Sequence, residues 1–279
     1  TRQRGPGLRR DDEPVLWAGT RNPATVMPAK AGISGQPPGG PGQMPAEAGI
    51  SGNTPVGPAK DPGFRRDDRG RGEGGNPRGT VFHLMRHAPT EWNAAGRIQG
   101  RADAPLTATG RQWAASWGRR LAPLGVTRLL SSDTGRALAT AREMNASLDL
   151  PVTAEARLRE QDWGQWTGCR HRGLQTEASG AYARQQARGW DFRPPGGESH
   201  LEVLERALAA LGDAAAAFPG ERVLVVTHEG VIKCLVYHLT IRDGCGRPPT
   251  PPAAWHLHRL VGSGGNLRLD QVNALNLNV

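Results

Sequence analysis

Cysteine is scarce in this chain, and its scarcity removes two fold classes at once. Cys169, Cys234 and Cys245 form an odd set with no CxxC pair. That argues against a disulfide framework and against a thiolate zinc site. A reducing, cytoplasmic setting fits such usage best. Long apolar runs are also missing. No stretch approaches the ~20 residues of a membrane span, and the N-terminus lacks the apolar core of a signal peptide. Lysine and arginine never form a run long enough to suggest a nucleic-acid patch, although the formal net charge is +9. That excess suits an enzyme for phosphorylated anions equally well.

Apolar residues make up only 37% of the chain, while glycine (38) and proline (23) are abundant. A large share of both falls in residues 1–79. Two short phrases repeat there. Pro6-Gly7-Leu8-Arg9-Arg10-Asp11-Asp12 returns as Pro62-Gly63-Phe64-Arg65-Arg66-Asp67-Asp68, and Met27 to Gly35 returns, nearly unchanged, as Met44 to Gly52. Solenoid repeats need units of roughly 20 to 50 residues that can stack an apolar face. These phrases are too short and too polar. Their burial would not offset the entropy of ordering them. Residues 1–79 are therefore expected to be a disordered, low-complexity extension, with an interaction tail as the alternative, and residues 80–279 the folded domain.

The pattern changes at Thr80. Val81-Phe82-His83-Leu84-Met85 is a short continuous apolar run, the mark of a strand buried on both faces. It stops at Arg86-His87, and Pro89 forbids further pairing. Thr109 with Gln112 suggests a capping box for a helix carrying Trp113, Trp117 and Leu121 at helical spacing. Arg128 to Ser132 reads as a second strand, followed by a helix from Gly135 to Asn145 capped by Asp133 or Thr134. Pro151 to Ala154 reads as a brief edge strand. Residues 169–190 read as weakly patterned helix. Ser199 with Glu202 opens a strong helix from His200 to Phe218. Arg222-Val223-Leu224-Val225-Val226-Thr227 is the clearest buried strand, and it too ends in a histidine, His228. A helix from Val231 to Leu239 and two C-terminal strands complete the chain.

Strands alternating with helices predict an α/β fold: a three-layer sandwich with a mainly parallel central sheet flanked by helices. In such sheets ligands bind at the carboxyl edge of the strands. Two strands ending in histidine at that edge would bring His87 and His228 together. His83, inside a strand, reads as a satisfied core histidine. His256 and His258 alternate on a strand but lack an obvious third metal ligand. Cys234 reads as a small core residue.

The segment Arg86-His87-Ala88-Pro89-Thr90-Glu91-Trp92-Asn93 resembles the signature of the histidine phosphatase superfamily, in its phosphoglycerate mutase-like branch. Further matching pieces follow in order: Ser131-Ser132-Asp133-Thr134-Gly135-Arg136, Leu158-Arg159-Glu160, Gly196-Gly197-Glu198-Ser199 and Thr227-His228-Glu229-Gly230. The resemblance implies a metal-independent phosphomonoesterase with no cofactor. In it His87 is the nucleophile and forms phosphohistidine. Arg86, Arg136, His228 and Asn93 bind the phosphoryl oxygens. Glu160 is the general acid, a role that needs a protonated carboxyl. The residue types suit phosphoryl transfer, which needs a nucleophile, charge stabilisation and a proton for the leaving oxygen. Guanidinium groups can fork onto phosphoryl oxygens where Lys cannot. The blander reading of Arg136 is an ion pair with Asp133.

Two positions depart from the family pattern. Ala88 and Glu229 stand where glycine is common. A carboxylate at 229 would repel a phosphate unless it points away or touches a substrate hydroxyl. The partner expected is a small phosphorylated substrate, with no nucleic acid and no membrane, and the protein a monomer or homodimer. The alternatives are a phosphoglycerate mutase, an α-ribazole phosphatase, or a non-catalytic module that grips phosphorylated ligands. Glu160 lies roughly 35 residues before Gly196, a shorter insert than mutases of the family usually carry. A shorter lid leaves the site open to water, which favours hydrolysis.

Overall fold

The computed structural model describes residues 79–176, 179–242 and 250–278. Residues 1–78, which hold all but the last residue of the expected extension, lie outside these, as does Cys245. The elements run β1 (Thr80–Arg86), α1 (Glu91–Ala94), α2 (Ala108–Leu121), β2 (Arg128–Ser132), α3 (Gly135–Asn145) and β3 (Val152–Glu155). After them come α4 (His171–Thr176), α5 (Ser179–Gln186), α6 (His200–Ala217), β4 (Arg222–Thr227), α7 (Glu229–Arg242), β5 (His256–Ser263) and β6 (Asn266–Asn276).

One six-stranded sheet runs in the order β3-β2-β4-β1-β5-β6. The first four strands are parallel, and β5 and β6 are antiparallel. The expected α/β sandwich is therefore present. β1 and β4 alternate their side chains between two cores, as a strand buried on both faces must. Phe82, Leu84, Val223 and Val225 meet Leu204 and Leu211 of α6 and Leu235 of α7 on one side. Met85, Leu224 and Val226 meet Trp117 of α2 and Met144 of α3 on the other. Burying each such side chain contributes ~1.5–3 kcal/mol, which fixes the register of the central strands.

That register positions the site. Because β4 is inserted between β1 and β2, Arg86 lies opposite Thr227, and Ser131 of β2 lies opposite Val226. The His87 N–H donates to the Thr227 carbonyl at 3.0 Å. The next residues out from the sheet are then His87 and His228, side by side.

Several local expectations are corrected. α2 starts two residues earlier than Thr109 implies: Thr107 is its cap and accepts from the Gly110 N–H at 2.8 Å. Thr134 caps α3 by position but makes no side-chain cap bond. Residues 91–94 form a one-turn helix with a Thr90–Asn93 capping box. α7 runs from Glu229 to Arg242, beyond the expected 231–239. His83 is buried, yet neither ring nitrogen has a hydrogen-bond partner among the described residues. Burial first, then Arg259 and Arg222, lowers its pKa to about 4, so the ring stays neutral. Cys234 is buried, as expected. Among the described residues no helix is long and apolar enough to cross a membrane.

Candidate active site

At the carboxyl edge the rings of His87 and His228 have their centroids 5.2 Å apart. Both side chains are buried. The first turn of α3 brings Arg136 between them. Its Nε donates to His87 Nε2 at 3.3 Å, and its Nη2 donates to His228 Nδ1 at 3.1 Å. The remaining guanidinium protons go outward. Nη1 meets the Ala102 carbonyl at 2.8 Å and Asp103 Oδ1 at 3.2 Å, and Nη2 meets the Gly100 carbonyl at 2.8 Å. Five contacts thus use the five donors of one guanidinium. Gly100 can aim its carbonyl this way because it adopts φ +53°, which side-chain-bearing residues avoid.

The hydrogen bonds also fix the tautomers. His87 Nδ1 lies 2.8 Å from the Ala88 carbonyl. A carbonyl only accepts, so Nδ1 carries the proton and Nε2 presents a lone pair. His228 Nδ1 accepts from Arg136, so its Nε2 holds the proton and donates to Ser132 Oγ at 2.9 Å, with Thr134 Oγ1 at 3.3 Å. Burial first, then Arg86 and Arg136, holds the His87 pKa well below the ordinary imidazole value. Burial, then Arg136 and His87, does the same for His228. Both rings are neutral near pH 7. His228 therefore stands at this edge as a neutral ring.

Glu160 arrives from the loop after β3. Its carboxylate accepts from the Gln161 N–H at 2.9 Å and from the Gly230 N–H, in the first turn of α7, at 3.3 Å. A Cβ on Gly230 would lie 2.4 Å from Glu160 Oε1, so glycine there lets the carboxylate sit against the first turn of α7. Arg206 of α6 fastens this loop from behind. It donates to the Glu160 carbonyl at 3.2 Å and forks onto Glu198 at 2.8 and 2.9 Å.

Arg86 is held differently. Its Nη1 pairs with Glu229, and Glu229 also accepts from Lys233 Nζ, one helical turn on, at 2.5 Å. Arg86 stands first among the causes that lower the Glu229 pKa to about 2. Glu229 is thus an ionised, neutralised carboxylate turned to two cations. The Arg86 Nε–H is buried with no partner among the described residues.

Of the residues singled out by sequence, His87, Arg136 and His228 touch directly, and Glu160 and Arg86 join through Gly230 and Glu229. Asn93 commits its carbonyl oxygen to the α1 cap, accepting from Thr90 N at 3.0 Å and Thr90 Oγ1 at 2.8 Å; only its NH2 remains to donate. Arg136 does not pair with Asp133, which binds Arg159 at 2.5 Å instead. The buried Ala88 methyl packs in the core while its N–H meets Thr140 Oγ1 at 3.0 Å. Residue order assigns no site role to Asp103, Arg206 or the Ser132 hydroxyl, and marks Thr134 only as a candidate helix cap. His256 and His258 gather no third ligand among the described residues.

Residues 82–274 match the histidine phosphatase superfamily, branch 1. The chain belongs to that superfamily. It is 42% identical over 155 residues to a probable phosphoglycerate mutase GpmB of Citrobacter koseri, covering 55% of this chain and 72% of the relative. The YhfR structure from Bacillus stearothermophilus is 30% identical with a TM-score of 0.61, over 71% of this chain and 98% of that one. A mycobacterial glucosyl-3-phosphoglycerate phosphatase complexed with VO3 is 27% identical with a TM-score of 0.60, over 70% and 99%. A putative α-ribazole-5′-P phosphatase from Escherichia coli is 26% identical with a TM-score of 0.58, over 72% and 98%. Membership of the superfamily points to phosphatase or mutase chemistry.

Proposed function

We propose that this chain is a phosphomonoesterase that hydrolyses small phosphorylated metabolites through a phosphohistidine intermediate. One observation carries the reading. A single buried guanidinium lies within hydrogen-bond distance of both an imidazole lone pair, on His87 Nε2, and His228 Nδ1. An anion entering between the rings would take over those two Arg136 protons without moving the arginine.

The chemistry then balances. His87 Nε2 attacks phosphorus, the N–P bond forms and the P–O ester bond breaks. Glu160 gives its proton to the leaving alkoxide. Water next attacks phosphorus, Glu160 takes a proton from it, the N–P bond breaks and orthophosphate leaves. Arg136, Arg86 and a His228 ring that takes up a proton from solvent as the anion binds offset the charge on the phosphoryl oxygens, with the arginines preorganised at no further cost in orientation. This reading needs no metal ion, because the cations are in the protein.

A phosphoglycerate mutase is the second reading, favoured by the name of the Citrobacter koseri relative. The short segment between Glu160 and Gly196 weighs against it, since retention of the phosphoryl group needs water kept out. A rapid denaturing quench with labelled phosphomonoester, kept alkaline to preserve the N–P bond, tests the proposal. The wild type should trap label on the chain, and His87→Ala none. Absence of trapped label would leave a binding module. Interconversion of 2- and 3-phosphoglycerate faster than phosphate release would make it a mutase.

A further inference from the structure

Outside the histidines, one exposed side chain reaches into the buried cup. Asp103 lies in the loop between α1 and α2, and its side chain is 43% exposed. Its Oδ1 accepts twice from the same residue: from the Arg136 backbone N–H at 3.1 Å and from Arg136 Nη1 at 3.2 Å. One oxygen therefore grips both ends of an arginine whose own side chain is 1% exposed. A second feature points the same way. A Cβ on Gly135 would lie 2.2 Å from Asp103 Oδ2, so only glycine before Arg136 lets the carboxylate come this close.

From this geometry we infer that Asp103 is the positioning residue for Arg136, setting the guanidinium at the angle from which two of its protons face the phosphoryl site. The inference rests on the phosphoryl-transfer reading of the cup. The carbonyls of Gly100 and Ala102 hold the same guanidinium, but as neutral acceptors on the same loop. Asp103 adds the negative charge, and a charge-assisted bond is roughly twice as strong as a neutral one. The carboxylate stays partly in water, so it stabilises a buried cation at little desolvation cost of its own. Without it the arginine keeps its place in the sequence of α3 but loses the bond that orients its far end.

The test uses the full chain with p-nitrophenyl phosphate as substrate and orthophosphate as competitive inhibitor. Asp103→Ala should raise KM and the orthophosphate inhibition constant about tenfold or more, with the thermal midpoint only slightly lower. Asp103→Asn, which keeps an oxygen at the Oδ1 position, should recover part of that loss. If Asp103→Ala fails to fold, Gly135→Ala leaves the carboxylate in the chain while pushing it off Arg136, and should show the same weakened orthophosphate binding. Orthophosphate binding unchanged in either folded variant would overturn the inference while the phosphoryl cup stands. A wild type that does not bind orthophosphate would instead overturn the cup and take this inference with it.

Discussion

The two arginines of the cup are built to opposite plans. Arg136 is 1% exposed at its side chain, and every one of its donors is occupied. Three of its five contacts are anchors on one loop, and two face the histidines. Arg86 is 17% exposed, pairs with one carboxylate, faces Trp255 at 5.8 Å and leaves its buried Nε–H unmet. The first arrangement is complete before any ligand arrives. The second is incomplete, and a buried donor without a partner costs ~1–3 kcal/mol, which an oxyanion could relieve. Arg136 therefore acts as architecture, and Arg86 as the part of the cup that responds to its occupant.

The difference predicts unequal losses. Arg136→Ala removes the bridge between the two rings, leaves the Gly100 and Ala102 carbonyls without their donor, and leaves Asp103 only the backbone N–H of position 136. It should cost kcat/KM about 10³-fold or more, on the scale of a preorganised oxyanion donor. Arg86→Ala removes a less constrained cation and leaves Glu229 its partner Lys233. Its loss should be smaller, on the order of tenfold to 10²-fold. Steady-state kinetics on the two folded variants decides this. Equal losses would erase the distinction drawn here.

Glu229 sharpens the comparison, because it competes with the substrate for Arg86. Its carboxylate is 27% exposed and shared between Arg86 and Lys233. Glycine, the commoner residue at this point in the resemblance, would remove the carboxylate from Arg86. Glu229→Gly should lower the orthophosphate inhibition constant about threefold to tenfold, the worth of a partly exposed charge. If product release limits turnover, kcat should fall with it. Weaker orthophosphate binding in this variant would mean that Glu229 orients Arg86 rather than restraining it.

Much of this site could be read from residue order, and the unread part has a physical cause. β1 and β4 are continuous apolar runs that end in histidine, so burial on both faces and the shared edge are encoded locally. The sheet order then brings His87 beside His228. Asp103 carries no such signal. It is an exposed carboxylate in an irregular loop, and its partner lies 33 positions away. The Arg206–Glu198 fork is likewise set by how α6 lies against the Glu160 loop. Residue order favours Thr109 as the cap of α2, because only Thr109 has a glutamine three positions on, at Gln112. Only packing selects Thr107, whose N–H also reaches the Pro89 carbonyl at 3.0 Å. The apolar pattern around His83 shows that the ring is buried, but not that it lacks a partner.

The smallest expected effect separates the arginines by charge alone. Both histidine pKa values lie well below 6.5, so His87 keeps its lone pair as the pH falls through the ordinary imidazole range. The acid limb of kcat/KM should accordingly fall below pH 6.5, where protonation of free imidazole would otherwise end nucleophilic attack. The two cations contribute unequally. Among charges, Arg86 ranks ahead of Arg136 in lowering His87, and Arg136 ranks first in lowering His228. Arg86→Gln removes a lowering influence from the nucleophile, so the limb should move up toward 6.5. It should stop short of it, because burial is the largest cause for His87 and survives the substitution. Proton-detected titration of the His228 ring should show the converse, with Arg136→Gln shifting it upward more than Arg86→Gln does. A limb that moves in neither variant would assign the control of His87 to burial and leave the arginines only their hydrogen bonds.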